Sequence, residues 1–158
     1  MKSQMSLANT SFSYLAKSPE FLNLVLNNIC SCVLMLNDRM ELQAYNDALK
    51  TIFSNRKDEN LLYIRCGEAI GCASSIEEKK DCGTTSQCSE CELRLAGMKS
   101  YIEGEDIYRE HVIRPFFNSE GNKTDKHLQF STRLFIFGRE KYIIMIIEDI
   151  TKNYVQEN

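Results

Sequence analysis

Between Gly71 and Cys91 the chain reads G-C-A-S-S-I-E-E-K-K-D-C-G-T-T-S-Q-C-S-E-C, which places four of its seven cysteines, Cys72, Cys82, Cys88 and Cys91, in a C-x9-C-x5-C-x2-C pattern. Glycines and the Thr84-Thr85-Ser86 run make the stretch a poor helix or strand until its end, so local propensity does not order it. Thiolates converging on one metal centre would, because coordination free energy becomes folding free energy. The compartment decides between metal and disulfide. The N-terminus M-K-S-Q-M-S-L-A-N-T lacks the apolar core of a signal peptide, and no apolar run approaches the ~18 residues of a membrane span. A cytoplasmic location is therefore expected, where thiols stay reduced. An odd cysteine count there points to metal rather than a disulfide framework.

At 158 residues, 43% hydrophobic and 26% charged, the chain suits one soluble domain with a single core. A net charge of -3 offers no basic face for nucleic acid. Residues 1–18 form a polar lead-in, 19–152 the domain with its cysteine-rich loop at 66–91, and 153–158 a tail. Ser18 is a good N-cap with Pro19 at the first helical position, and Leu22, Val25, Leu26 and Ile29 then give one apolar stripe. That face is expected to cover a sheet, to pair with a second subunit, or both.

Cys30 to Leu36 reads as a buried strand, and Asn37-Asp38-Arg39 turns it into a return strand at Glu41 to Tyr45. Cys30 and Cys32 then share a face, where packing is favoured over ligation. Asn46 is expected to cap a short helix from Asp47 to Phe53, and Leu61 to Ile64 form an apolar anchor. A longer helix is expected from Cys88, capped by Ser86 and ended by Gly104. Cys88 and Cys91 would lie on its first turn, and Leu95, Met98 and Ile102 on the stripe below. Three strands follow: Asp106 to Arg114, stopping at Pro115; Lys126 to Phe137, with Leu128, Phe130, Leu134 and Ile136 on one face; and Lys141 to Ile147. The last is apolar on both faces and is expected to be central, with the 19–30 helix over its second face. The order helix, two strands, helices, three strands makes the fold class α+β with an antiparallel sheet.

A hairpin ending A-Y-N-D-A-L (Ala44 to Leu49), small helices, one longer helix and three strands running into E-D-I-T (Glu148 to Thr151) together resemble a PAS domain, over roughly Leu22 to Lys152. The Arg65 to Cys91 segment is similar to a cysteine-rich PAS subgroup of bacterial signalling proteins, in which a proline stands where this chain has Cys66. The resemblance implies a five-stranded sheet in the order 2-1-5-4-3, helices enclosing a ligand pocket, and homodimerisation through the N-terminal helix. It also implies a signalling partner or a fused output domain. Cys66 is left open as an extra or alternative ligand.

Four thiolates suit either zinc or an iron–sulfur cluster. Zinc ribbons usually present two C-x2-C knuckles, and only Cys88 and Cys91 make one here. Zinc also has no redox chemistry to sense with. The favoured reading is a single 4Fe-4S cluster bound by Cys72, Cys82, Cys88 and Cys91, sensing oxygen, nitric oxide or redox state through ordering of the loop. A structural zinc module and a Cys88–Cys91 thiol switch are the alternatives. Arg65 and Glu68 stand beside the loop as hydrogen-bonding candidates or an ordinary surface pair, and Glu77-Glu78-Lys79-Lys80 reads as a solvated face. Residues 88–103 hold no histidine for haem, and His111 and His127 fall on strands. No catalytic set, phosphate loop or kinase motif is visible, so the chain is not expected to be an enzyme.

Overall fold

A computed structural model describes Leu15 and residues 17–154. Most of the expected lead-in, and all of the tail beyond Tyr154, lie outside the described residues. The elements are α1 (Pro19–Leu26), β1 (Cys32–Leu36), β2 (Leu42–Tyr45), α2 (Ala48–Ile52), α3 (Cys66–Ile70), α4 (Ala73–Glu78), a 3-10 turn at Cys88–Glu90, α5 (Glu92–Glu103), β3 (Ile107–Phe117), β4 (Lys123–Phe137) and β5 (Glu140–Asp149). The strands form one antiparallel sheet in the order β2-β1-β5-β4-β3.

Alternation along the strands builds the core. Cys32, Leu34 and Leu36 of β1, Ile143, Met145 and Ile147 of β5, and Leu128, Phe130 and Thr132 of β4 all point to one buried face. Fully burying each large side chain among them contributes about 1.5–3 kcal/mol. α5 closes this face with Leu93, Ala96, Gly97 and Ser100, an i, i+3, i+4, i+7 set. The small residues let the helix lie close: a Cβ at Gly97 would stand 3.3 Å from Met40 Sδ and 3.6 Å from Met145 Cε. Ser100 and Thr132, both fully buried, share a 2.7 Å hydrogen bond, and their hydroxyls also reach the carbonyls of Glu105 and Ala96.

Several expectations are corrected. The 88–103 helix starts a turn late: Cys91 is the N-cap of α5, Cys88 sits on the separate 3-10 turn, and Ser86 bonds Glu78 instead of capping. The face of the helix that packs on the sheet is that of Leu93, Ala96, Gly97 and Ser100, and Leu95 and Ile102 are exposed. β3 runs through Pro115, which the sheet tolerates because β3 is an edge strand. β4 begins at Lys123, and Ile136 lies exposed beyond the core.

Cys30 precedes β1 and is exposed, so it does not share the buried face of Cys32. Asn46 does not cap α2 with its side chain. Its amide nitrogen donates to the carbonyls of Leu26 and Ser31, and its amide oxygen accepts from the Val33 N–H, pinning the exit of α1 to the hairpin. Ser18 does cap α1, its Oγ accepting from the Phe21 N–H at 3.1 Å. That helix ends at Leu26, however, and none of its residues is buried. β5 is central, pairing with both β1 and β4, yet Ile146 on its second face is exposed.

Candidate metal centre

The cysteine-rich segment is partly helical. α3 and α4 carry its first half, joined by Gly71, whose φ of +79° and closeness to the Phe117 carbonyl and Asn55 admit no side chain. The segment is stitched to the sheet where the Phe117 N–H donates to the Gly71 carbonyl at 2.9 Å and Cys72 bridges Phe116. The second half is held by its own side chains. Glu78 accepts from the Ser86 N–H at 2.9 Å and from the Ser86 hydroxyl, and Glu77 pairs with Lys123 at 2.8 Å. The charge run thus fastens α4 to the turn before Cys88 and to β4.

Under α5 these elements enclose a cavity of about 30 Å³. Cys66, Cys72, Cys82, Cys88 and Cys91 all line it, with Met40, Ile70, Leu93 and Phe116 as apolar walls and Arg94 and Arg114 at its polar side. Neither histidine nor carboxylate lines it among the described residues. All four cysteines singled out from spacing therefore meet at one place, and Cys66 joins them from the first turn of α3. Among the described residues, no three His, Cys, Asp or Glu side chains converge where one metal ion would be held. The thiols are spread around the cavity walls.

Each sulfur has its own environment. Burial raises the Cys82 thiol to about 11, against a hydrogen bond from the Gly67 N–H, and Cys91, Cys88 and Cys72 stand near enough to add to the rise. Arg65 and Glu68 both grip the Cys82 backbone: Arg65 Nη1 donates to its carbonyl at 2.9 Å, and Glu68 accepts its N–H. Gly67 lets Cys82 lie close, because a Cβ there would fall 2.8 Å from Cys82 Sγ, 3.0 Å from Cys82 Cβ and 3.5 Å from Cys72 Cβ. Burial raises Cys91, opposed by the charge of Arg114 and the N–H groups of Arg94 and Leu93 at the start of α5.

Cys88 is the least enclosed of these three. Its modest burial, which alone would raise it, is outweighed by hydrogen bonds from the Thr85 hydroxyl (2.9 Å), the Thr85 N–H (3.3 Å) and the Gly83 N–H (3.1 Å), with Arg94 nearby, so its thiol is lowered. Burial drives Cys66 far up, reinforced by Cys82, Cys32, Cys91 and Cys72. Cys32, raised to about 12 by burial, does not line the cavity and packs as a core residue.

Sequence reasoning missed Arg94, Arg114, Thr85 and Gly67. The arginines look like any surface charge in the sequence. Nothing in the sequence marked Gly67 or its contact with Cys82.

The donor chemistry fits a thiolate-bound group. Soft sulfurs surround an apolar hollow, backbone N–H groups point at Cys82, Cys88 and Cys91, and two arginines offset negative charge. Outside the site, His111 and His127 stack with Tyr154 on the sheet surface, and their ring nitrogens lie 2.8 Å apart.

A five-stranded antiparallel sheet in this order, with its helices enclosing a cavity on one face, defines the PAS fold. Solved structures of that fold superpose on the chain. The PAS domain of nitrogen regulation protein NR(II) from Vibrio parahaemolyticus matches with a TM-score of 0.58 and 15% identity, over 82% of this chain and 97% of that one. The PAS domain of an HTR-like protein from Haloarcula marismortui matches with a TM-score of 0.52 and 13% identity, over 89% and 98%. The PAS domain of Bordetella pertussis BvgS gives 0.51 and 18% identity, over 84% and 85%. In sequence, no family model and no curated protein matches the chain. The chain has the PAS fold, and these likenesses extend to the fold alone.

Proposed function

We propose that this PAS domain is a sensor that holds an iron–sulfur cluster, of the 4Fe-4S type, through Cys72, Cys82, Cys88 and Cys91, and relays oxygen, nitric oxide or redox state to a signalling partner or output domain. The observation that carries the reading is the shared cavity: thiols from α3, α4, the 81–91 loop and the cap of α5 line one apolar hollow that no carboxylate or histidine enters among the described residues. The single C-x2-C knuckle at Cys88 and Cys91, with Cys72 and Cys82 standing apart in sequence, favours a cluster over zinc.

When bound, such a cluster supplies one-electron chemistry and sensitivity to oxidants. The chain's residues do the rest. The Gly67, Gly83, Thr85, Leu93 and Arg94 N–H groups steady the thiolates, and Arg94 and Arg114 offset their charge. Met40, Leu93 and Phe116 limit water. Cys91 caps α5, and α5 packs on β4 and β5, so ordering or release of the loop bears directly on the sheet.

The test is cluster content after anaerobic purification. The unmodified chain should be brown, with iron and acid-labile sulfide, and Cys82→Ser should lose both while keeping its far-ultraviolet circular dichroism. Full cluster content in Cys82→Ser would remove the assignment. Colourless protein with zinc would instead favour a structural module.

A further inference from the structure

The cavity has more thiols than a four-thiolate cluster needs: Cys66 packs in the hydrophobic core and lines the cavity as well. Cys66 is only 3% exposed and lines the cavity on its inner wall, whereas the equally buried Cys32 does not. Cys66 has Cys82, Cys91 and Cys72 as electrostatic neighbours. Cys88 is linked in this way to Cys82, and its sulfur is occupied by three hydrogen bonds from its own turn. The two thiols thus both neighbour Cys82, Cys66 as the buried one and Cys88 as the more open one, tied within its own turn. Cys66 is also fixed in the backbone: its N–H donates to the Met40 carbonyl at 2.7 Å, and the Ala69 N–H continues the first turn of α3 to the Arg65 carbonyl.

We propose that Cys66 is a reserve ligand on the inner wall of this cavity, able to take the place of Cys88 in the set with Cys72, Cys82 and Cys91. This rests on the cluster reading above. The exchange balances without an oxidant: one iron–thiolate bond to Cys88 breaks, one to Cys66 forms, and the Cys66 thiol proton passes to the Cys88 sulfur. It would cut the cysteine tie of the Gly83–Glu90 segment, leaving the Glu78–Ser86 bonds as its hold on α4, while Cys72, Cys82 and Cys91 stay in place. Loop release without loss of the group would then be a signalling state distinct from loss of the cluster.

Four variants test this, with iron, sulfide and the visible spectrum as readouts and circular dichroism as the check on folding. Cys88→Ser should keep its cluster with an altered spectrum. Cys66→Ala should keep it through Cys88, which also shows that the substitution folds. The double variant Cys66→Ala/Cys88→Ser should lose it, as Cys82→Ser does. Loss from Cys88→Ser alone, loss from Cys66→Ala alone, or retention in the double variant would each overturn the proposal. Absence of iron and sulfide from the unmodified chain would instead defeat the cluster reading itself, so the two failures are distinguishable.

Discussion

At the scale of single residues, the site depends on groups that carry no thiol. Gly67 stands between Cys72 and Cys82, where even one methyl would meet Cys82 Sγ at 2.8 Å. Gly67→Ala should therefore displace Cys82 and lower iron content several-fold, with the fold intact by circular dichroism; unchanged content would show that the contact relaxes freely. The buried pair Ser100 and Thr132 makes a second prediction. Thr132→Val removes the bonds of its hydroxyl to Ser100 Oγ and the Ala96 carbonyl, leaving Ser100 with the Glu105 carbonyl, and should cost about 0.5–1.5 kcal/mol in urea unfolding. A loss well under that range would show that Ser100 finds other partners. The cysteines were legible from spacing because ligation demands one residue type. Gly67, Arg94 and Arg114 were not, since each acts on a sulfur that belongs to a different element.

At the scale of elements, the errors of sequence reading share a cause: tertiary partners claimed the local signals. Ser86 looks like a cap for a helix at Cys88, but Glu78 engages it, and Cys91 opens α5 instead. Pro115 looks like a strand end, but an edge strand has no inner ladder to break there. Period-two alternation in β4 was readable because that strand lies over one continuous core, and β5 was readable as central from its unbroken apolar run.

The end of β5 carries a pH prediction. Burial alone would raise the Asp149 carboxyl, but hydrogen bonds from the Thr151 hydroxyl and N–H and from Lys126 hold it below its ordinary value. A lowered folded-state value means stability that is present above the unfolded value and lost as pH falls through the folded one. Asp149→Asn should thus destabilise by about 1 kcal/mol at neutral pH. That difference from the unmodified chain should fade below about pH 4, the ordinary carboxylate range. Thermal unfolding across pH measures it, and a pH-independent difference would contradict it.

For the molecule as a whole, the sheet order and α+β class were legible, whereas the seating of α1 was not. Leu26 of the stripe is half-buried beside Val33, Ala44 and Ile144, whereas Leu22, Val25 and Ile29 are exposed, as is Ile146 on the outer sheet face, so the stripe is only partly covered within the chain. Homodimerisation through the N-terminal helix, which the resemblance implies, can be tested on this surface. Sedimentation should find a dimer that Leu22→Lys/Val25→Lys converts to monomer, and a monomeric unmodified chain would contradict it. No helix among the described residues is long and apolar enough to cross a membrane.

The group held in the thiol cavity can be read by metal analysis. Protein purified without oxygen, assayed for iron, acid-labile sulfide and zinc, should contain iron and sulfide in equal amounts approaching about four of each per chain. One zinc per chain without sulfide, or a metal-free protein whose thiols all alkylate readily, would contradict the cluster reading.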